Sequence, residues 1–210
     1  MRTVGILVAC LALPALAADA GLARTLAAIE TRYNSAATLQ VLFREDYTPP
    51  GRPHRSESGT LTLSRPGRMR WEYSQPVGKL WVSDGKTVSM YLPQENRVER
   101  APLKESGDAR VPLAFLLGKL HFDKEFRNIE GRPEGGGMRI LAEPKTDTLP
   151  YSQVEFLVSA QNQIREVKLT GFDKSILVYS FDQEKMNPPA EAKLFRMVVP
   201  AGAEVVENGQ

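Results

Sequence analysis

Alternation of apolar and polar residues is the feature that most constrains the fold of this chain. It has a period of two, so in an extended strand every second side chain lies on the same face of the sheet. The alternating runs lie at residues 39–43, 61–63, 69–73, 80–83, 87–92, 138–143, 153–158, 164–170, 176–181 and 194–199. We expect each run to form a strand with one apolar and one polar face.

Turn-forming residues separate the runs, for example Pro66-Gly67, Asp84-Gly85 and the three glycines at 135–137. Many short strands in series, joined by such turns, are typical of a meandering antiparallel sheet. The polar, proline-rich stretch 49–58 predicts a loop. We expect the residues after Pro200 to be loosely held.

Two segments have helical spacing instead. Within residues 21–34, four apolar residues recur at intervals of four, three and four, which predicts an amphipathic helix. They are Leu22, Leu26, Ile29 and Tyr33. Residues 111–120 combine an early proline with an apolar cluster, which predicts a short and very apolar helix. A sheet with one apolar face must cover that face, and these two helices are the available cover in a mainly β, α+β fold.

The first seventeen residues are typical of a secretory signal peptide. One early cation, Arg2, precedes an apolar run that ends at residues 15–17, and these fit an A-x-A cleavage site. We therefore expect a signal peptide at 1–17 and a single mature domain at 18–210.

Cys10 leaves a second processing site open, because residues 7–10 also fit the pattern at which bacterial lipoproteins are cleaved and acylated. However, the apolar run continues past Cys10, so cleavage there would leave an apolar new N-terminus. Cleavage after Ala17 is therefore favoured, and it would remove the single cysteine of the chain. A disulfide, a thiol nucleophile and a cysteine-bound metal would then be excluded.

Composition and motifs argue against two broad classes of function, nucleic-acid binding and enzymatic catalysis. The net charge of +2 at pH 7 falls to +1 once Arg2 is removed with the signal peptide. The protein as a whole therefore has no strong positive electrostatic field that would attract nucleic acid. The two histidines, His54 and His121, lie far apart, and neither an H-E-x-x-H nor a G-x-S-x-G motif is present. We expect no catalytic residue, no metal and no cofactor.

Three arginines cluster beside aromatic residues, at positions 65, 68 and 70. Such a cluster also occurs in nucleic-acid-binding grooves, so the face of the sheet on which each arginine lies must be decided separately. Alternation puts Arg65 on the apolar side with Leu63, whereas Arg68 and Arg70 should face solvent with Glu72. Arg65 should either reach water at the end of its strand or donate to backbone carbonyls at the C-terminus of a covering helix.

Four blocks of this sequence resemble, in order, the LolA family of periplasmic lipoprotein carriers. They are GTLTLSRPGRMRWEYSQP, WVSDGKTVSMYLPQENRV, VPLAFLLGKL and AKLFRMVVPAGAEVV. The first two are the most specific, because an R-P-x-x-x-x-W pattern is followed by a V-S-D-G-K hairpin. The resemblance covers essentially the whole mature chain.

This resemblance implies an incomplete, strongly curved antiparallel β-barrel with a helical lid over a hydrophobic cavity. It also implies a periplasmic carrier that takes acylated lipoproteins from an inner-membrane ABC exporter and passes them to an outer-membrane receptor. The acyl chains would occupy the cavity. We expect such a carrier to be a monomer without enzymatic activity.

The resemblance further implies a role for the arginine of the R-P pair, which closes the lid over the empty cavity. Arg65 matches this arginine, and its partner on the first helix is either Tyr33 or Ile29. The residues expected to line the cavity are Leu61, Leu63, Met69, Trp71 and Met90, with Leu116 contributed by the lid.

Two other assignments stay open. The outer-membrane receptor has a similar barrel but is itself a lipoprotein, so acylation at Cys10 would indicate that class. A periplasmic domain that senses lipids or lipoproteins is the second alternative, although such proteins usually carry a further domain for which this chain is short.

Overall fold

The computed structural model describes residues 13–103, 120–147 and 149–208, with side chains from residue 20 onward. Among these residues, the α-helices α1 (Leu13–Ser35) and α2 (Phe122–Glu125) and a short 3-10 helix (Ala192–Phe195) accompany the strands. The strands are β1 (Thr38–Thr48), β2 (Arg55–Ser64), β3 (Arg68–Gln75), β4 (Leu80–Asp84), β5 (Thr87–Leu92), β6 (Arg97–Pro102), β7 (Phe126–Glu134), β8 (Gly137–Pro144), β9 (Tyr151–Val158), β10 (Ile164–Gly171), β11 (Ile176–Met186) and β12 (Glu204–Glu207).

The twelve strands of the described residues belong to one open sheet with the order β12-β6-β5-β4-β3-β2-β1-β11-β10-β9-β8-β7. Neighbouring strands of this sheet are antiparallel, except that β12 pairs with β6 in parallel. Three strand spacings separate β3 from β11, roughly 14 Å in a flat sheet. The rings of Trp71 and Tyr179 on these two strands are nevertheless only 5.5 Å apart, because the sheet curves strongly. The predicted incomplete, strongly curved barrel is therefore confirmed.

The alternating runs between residues 39 and 181 all lie within strands, but the prediction of a strand at 194–199 is wrong. This segment forms the end of the 3-10 helix and irregular backbone, because it crosses the outer face of the sheet instead of pairing with an edge. The expectation of loosely held residues after Pro200 is also wrong for β12. Strands β6 and β7 were missed because their charged residues obscure the alternation.

The segment after β11 covers the outer face of β3 to β5. Phe195 is buried there, and the guanidinium of Arg68 lies 5.3 Å from the centre of its ring. Arg70 Nη1 donates a hydrogen bond of 3.2 Å to the carbonyl of Leu194. Arg68 and Arg70 therefore lie on the predicted outer face, but the expectation that they face open solvent is wrong because the C-terminal segment covers them.

Helix α1 supplies the cover of the concave face. It begins at Leu13, inside the expected signal peptide, and ends at Ser35, one residue beyond the predicted end. Its residues Ile29 and Tyr33 are buried in one apolar cluster with the inward-facing residues of the sheet, while Leu22 and Leu26 pack against that cluster. In the described part of the chain, no helix combines the length and the apolar character that crossing a membrane requires. Residues 111–119, where the second helix was predicted, lie outside the described residues.

Strand β7 forms one edge of the sheet and is irregular. Its pairing with β8 shifts between Arg127 and Glu130, Asn128 has a left-handed φ of 51°, and Pro133 lies within the strand. At the opposite edge, β12 has only four residues. Both edges of the described sheet are thus short or interrupted.

Gly59 marks the closest approach of β2 to β3. A Cβ atom at this position would lie 2.1 Å from the carbonyl oxygen of Glu72, and the pairing shifts between Ser58 and Gly59. The missing side chain also lets the rings of Phe43 and Tyr73, which flank Gly59 on the neighbouring strands, meet edge to face at 5.1 Å. Only glycine fits this position without moving one strand.

We expect Gly59→Ala to lower the free energy of unfolding by about 2 kcal/mol or more, since the added methyl group forces two backbones apart. Gly21→Ala in α1 is the matched control, because a Cβ there meets nothing within 4 Å. The control should change stability by less than about 1 kcal/mol. Equilibrium urea unfolding measures both, and equal stabilities of the two variants would contradict the assignment of Gly59.

Candidate functional site

Arg65 joins the end of β2 to the C-terminal turn of α1. Its Nη2 donates to the backbone carbonyls of Tyr33, at 3.2 Å, and of Asn34. Carbonyls in the last turn of a helix have no partner within the helix and carry partial negative charge, so a guanidinium suits them well. The backbone N–H of Arg65 also donates to the carbonyl of Ala37 at 3.0 Å. The structure thus brings Arg65 to the backbone of Tyr33 and not to Ile29; its role as a latch stays a prediction.

Asn34 connects this corner to the chain that follows β6. Its side-chain amide donates to the carbonyl of Leu120 and accepts from the N–H of Leu120, both at 2.8 Å. One turn earlier, Glu30 Oε1 accepts from the N–H of Phe122 at 2.8 Å. Two side chains of α1 therefore fix the backbone of residues 120–122. The sequence offered no signal for these contacts, because the partners lie far apart along the chain.

A second polar contact holds the same end of α1 to the other side of the sheet. The hydroxyl of Tyr33 donates to Glu184 Oε2 at 2.6 Å and accepts from the N–H of Ile164 at 2.9 Å. Arg32 Nε donates to Glu184 Oε1 at 3.0 Å. The side chain of Glu184 is only 5% exposed. A carboxylate this deeply buried requires such partners.

The charges in this network shift two pKa values. Burial raises the pKa of Tyr33 far above its ordinary value, and the neighbouring negative charge of Glu184 raises it further. For Arg32, burial disfavours the charged form, but the hydrogen bond and the charge of Glu184 outweigh it and raise its pKa. Tyr33 therefore stays a neutral hydroxyl donor, and Arg32 stays a cation, throughout the physiological range.

Glu184 faces inward because β11 is irregular. Gln183 has a left-handed φ of 50°, and the register of β1 against β11 shifts between Gln40 and Leu42. The one extra residue in β11 reverses the alternation, so Glu184 and Met186 lie on the concave side. Strict alternation from the sequence could not identify Glu184 as an interior residue.

The structure places most of the predicted cavity residues in a filled interior. Ile29, Tyr33, Leu61, Leu63, Met69 and Trp71 are each at most 1% exposed. Met90 is partly buried and packs against the same cluster. Leu116 lies outside the described residues. The space between α1 and the sheet is thus occupied by the protein's own side chains.

An open cavity lies at the other end of the concave face, which we call the mouth cavity. Its volume is about 570 Å³, within the range of roughly 300–1,000 Å³ that is usual for small-molecule sites. Its lining residues are Glu45, Tyr47, Pro150, Tyr151, Leu169, Gly171, Phe172, Asp173, Ser175, Leu177 and Tyr179. Because Tyr151, Leu169 and Tyr179 also belong to the buried cluster, the cavity borders the apolar interior.

Polar groups surround the mouth of the concave face. Tyr73 donates to Glu45 Oε2 at 3.3 Å, and Lys79 pairs with Glu57 at 2.5 Å while lying 4.4 Å from the centre of the Tyr73 ring. Across the cavity, the hydroxyl and N–H of Ser175 donate to Asp173 and lower the pKa of this carboxyl group. Apart from the paired carboxylate of Glu184, the concave face is therefore apolar beneath α1, and it is polar at its mouth.

Three possible metal ligands come together where α1 meets α2. Glu30, His121 and Asp123 each offer a ligand atom, and these atoms lie within 4.8 Å of one another. Glu30 Oε1, however, already accepts the hydrogen bond from Phe122. We therefore interpret this group as part of the attachment of residues 120–122 to α1.

Comparison with known proteins supports the resemblance seen in the sequence. The family model described as outer membrane lipoprotein carrier protein LolA matches residues 34–198. An outer-membrane lipoprotein carrier protein of Bordetella avium is 30% identical over 160 residues, which are 76% of this chain and 75% of that protein. A protein of the same description from Chromobacterium violaceum is 29% identical over 213 residues, covering 99% of this chain and 97% of its own length.

Solved structures support the fold. An uncharacterized conserved protein from Thermus thermophilus superimposes with a TM-score of 0.53 at 15% identity. The match covers 89% of this chain and 99% of that protein. At this identity the likeness concerns the fold alone.

We expect Tyr33→Phe to lower the free energy of unfolding by about 1–3 kcal/mol, because it removes the hydroxyl that bonds Glu184 Oε2 and the N–H of Ile164 in a buried place, while Arg32 still pairs with Oε1. Tyr91→Phe is the matched control, since its hydroxyl bonds Asn96 in an exposed pair. Thermal or urea unfolding of both variants checks the prediction. A loss for Tyr33→Phe no greater than that for Tyr91→Phe would contradict a structural role of this network.

Proposed function

This chain belongs to the LolA family of outer membrane lipoprotein carrier proteins, and we propose that it carries acylated lipoproteins across the periplasm. The acyl chains would lie in the concave interior beneath α1. The observation that carries this proposal is the apolar interior itself, which is covered by one helix and borders a cavity with a polar rim.

The energetics of acyl chains suit a carrier. Each methylene removed from water contributes about 0.8 kcal/mol, so chains of ordinary length bind strongly to any apolar interior. A bilayer offers nearly the same burial, so the preference between carrier and membrane is small. A modest change in the carrier can therefore reverse the direction of transfer.

The filled interior provides a way to change the affinity of the carrier for acyl chains. Tyr33 and Ile29 occupy the space beneath α1, so acyl chains must displace the helix or its side chains to enter. Cargo and the closed interior then compete for one volume, and contacts made only in the closed form weaken cargo binding. The bond between Arg65 and the end of α1 is such a contact, and it favours release.

We propose that the carrier moves lipoproteins from the inner membrane to the outer membrane. The chain would enter the periplasm after cleavage behind Ala17, receive lipoproteins from an inner-membrane ABC exporter and deliver them to an outer-membrane receptor. Mass analysis of the processed N-terminus tests the first step. A free Ala18 supports the carrier, whereas an acylated Cys10 would identify a lipoprotein receptor of the same superfold.

Cargo can be identified directly. Mild periplasmic extraction of the full-length chain, followed by mass spectrometry of what copurifies, should yield lipoproteins with intact acyl chains. In a reconstituted assay, the purified protein should release lipoproteins from inner-membrane vesicles and deposit them in outer-membrane vesicles. Failure to bind any acylated species in both experiments would contradict the proposal.

We expect Arg65→Leu to fold normally but to retain cargo, because the closed form loses charge-assisted hydrogen bonds worth about 1–3 kcal/mol. The rate of delivery to outer-membrane vesicles should fall about tenfold, since about 1.4 kcal/mol corresponds to that factor. Arg55→Leu is the matched control, because Arg55 lies exposed at the other end of β2. Unchanged delivery by Arg65→Leu, measured beside that control, would contradict the latch.

A further inference from the structure

Trp71 carries an unused hydrogen-bond donor in the middle of the concave face. Its side chain is fully buried, and its indole Nε1 has no hydrogen-bond partner among the described residues. A buried tryptophan N–H normally finds an acceptor, because an unpaired buried donor is costly. This single donor therefore needs an explanation.

Other buried polar groups near Trp71 do form hydrogen bonds. Tyr33 of the covering helix and Tyr73 of the concave face both have hydrogen-bonded hydroxyl groups. Two other buried nitrogens, Nε of Arg68 and of Arg97, also lack a partner. However, each of those guanidinium groups forms bonds through Nη2. The indole has one donor only, so all of its hydrogen-bonding capacity is unused.

The indole of Trp71 also lies close to the mouth cavity. Its ring is 5.5 Å from that of Tyr179, and Tyr179 lines the mouth cavity. Along β3, Tyr73 lies towards the polar mouth and Met69 towards α1, with Trp71 between them. The donor is therefore one ring deeper than the cavity, at the boundary between the polar rim and the apolar interior.

We propose that the indole N–H of Trp71 donates a hydrogen bond to a carbonyl oxygen of an acyl ester or amide in the bound ligand. This inference rests on the proposed function and adds a specific contact to it. The polar head of the ligand would occupy the mouth cavity. Its chains would run beneath α1, past Leu61, Leu63 and Met69.

The chemistry of the donor limits the choice of group. An indole N–H has no acceptor, so it cannot bind an ammonium or another donor. A phosphate or carboxylate would bring a charge into an apolar interior, which is costly without a counter-ion. An ester or amide carbonyl is neutral, is a good acceptor, and occurs where an acyl chain joins its head group.

A pair of lipids that differ only in their two ester carbonyl groups tests the contact. The probes are 1,2-dipalmitoylglycerol, which has two ester carbonyls, and 1,2-dihexadecylglycerol, the diether without them. Each would compete with a fluorescent fatty-acyl probe for the purified mature protein. We expect the wild-type protein to bind the diester about fivefold more tightly, a factor that corresponds to about 1 kcal/mol.

Trp71→Phe should abolish this preference while both lipids still bind. Trp81→Phe is the matched control, because Trp81 is fully buried directly opposite Trp71 on β4 and should leave the preference unchanged. Should Trp71→Phe fold poorly, replacement of Trp71 by benzothienylalanine removes the N–H and keeps the size of the ring system. Circular dichroism and urea unfolding establish that each variant is folded.

The outcomes separate the inference from the proposed function. Equal binding of diester and diether by the wild-type protein would overturn the contact and leave the carrier function intact. A preference that survives in both Trp71 variants would overturn it as well. Binding of neither lipid, together with no lipoprotein cargo, would overturn the proposed function itself.

Discussion

The apolar concave face of an open sheet is the constraint on which this structure depends. A closed barrel fills its interior with its own strands, but twelve strands that do not close leave an apolar surface that needs another element as cover. Helix α1 provides this cover, and its C-terminal turn is where polar contacts hold it. Arg65 binds its carbonyls from one side, and Glu184 binds Arg32 and Tyr33 from the other. A cover held by a few polar bonds at one end can exchange with an apolar ligand more easily than one held by uniform packing.

The sequence predicts the sheet well and the long-range contacts poorly, for physical reasons. Period-two alternation identifies strands wherever one face is buried, and it correctly puts Arg65 on the inner side. It fails for β6 and β7, where charges occur on both faces, and for Glu184, where irregular backbone in β11 reverses the alternation. It also cannot identify the carbonyls that Arg65 meets, or the partners of Asn34, because these depend on how distant segments pack. The outer-face position of Arg68 and Arg70 follows from alternation, whereas their cover by Phe195 is a tertiary feature.

Polarity changes along the concave face in a way that matches an amphiphilic ligand. Beneath α1 the inward residues are hydrocarbon or aromatic, apart from Glu184, whose charge is paired with α1. Towards the mouth they become Tyr73, Glu45 and Lys79. A ligand with chains and a polar head has only one favourable orientation in such a gradient. The unpaired indole of Trp71 lies where the two regions meet, so the same gradient that orients the ligand would bring its carbonyl groups to the donor.

The interrupted edges of the sheet have a further consequence for the proposed carrier, whose apolar interior would open to take up cargo. An opened interior is an aggregation hazard, and it is most dangerous when a long, flat strand edge beside it can template pairing with another chain. Here one edge is the four-residue β12, which carries Glu204 and Glu207, and the other is β7 with its bulge and Pro133. Neither edge presents a regular ladder of free N–H and C=O groups. The fold can therefore loosen its cover without offering a neighbouring molecule a strand on which to polymerise.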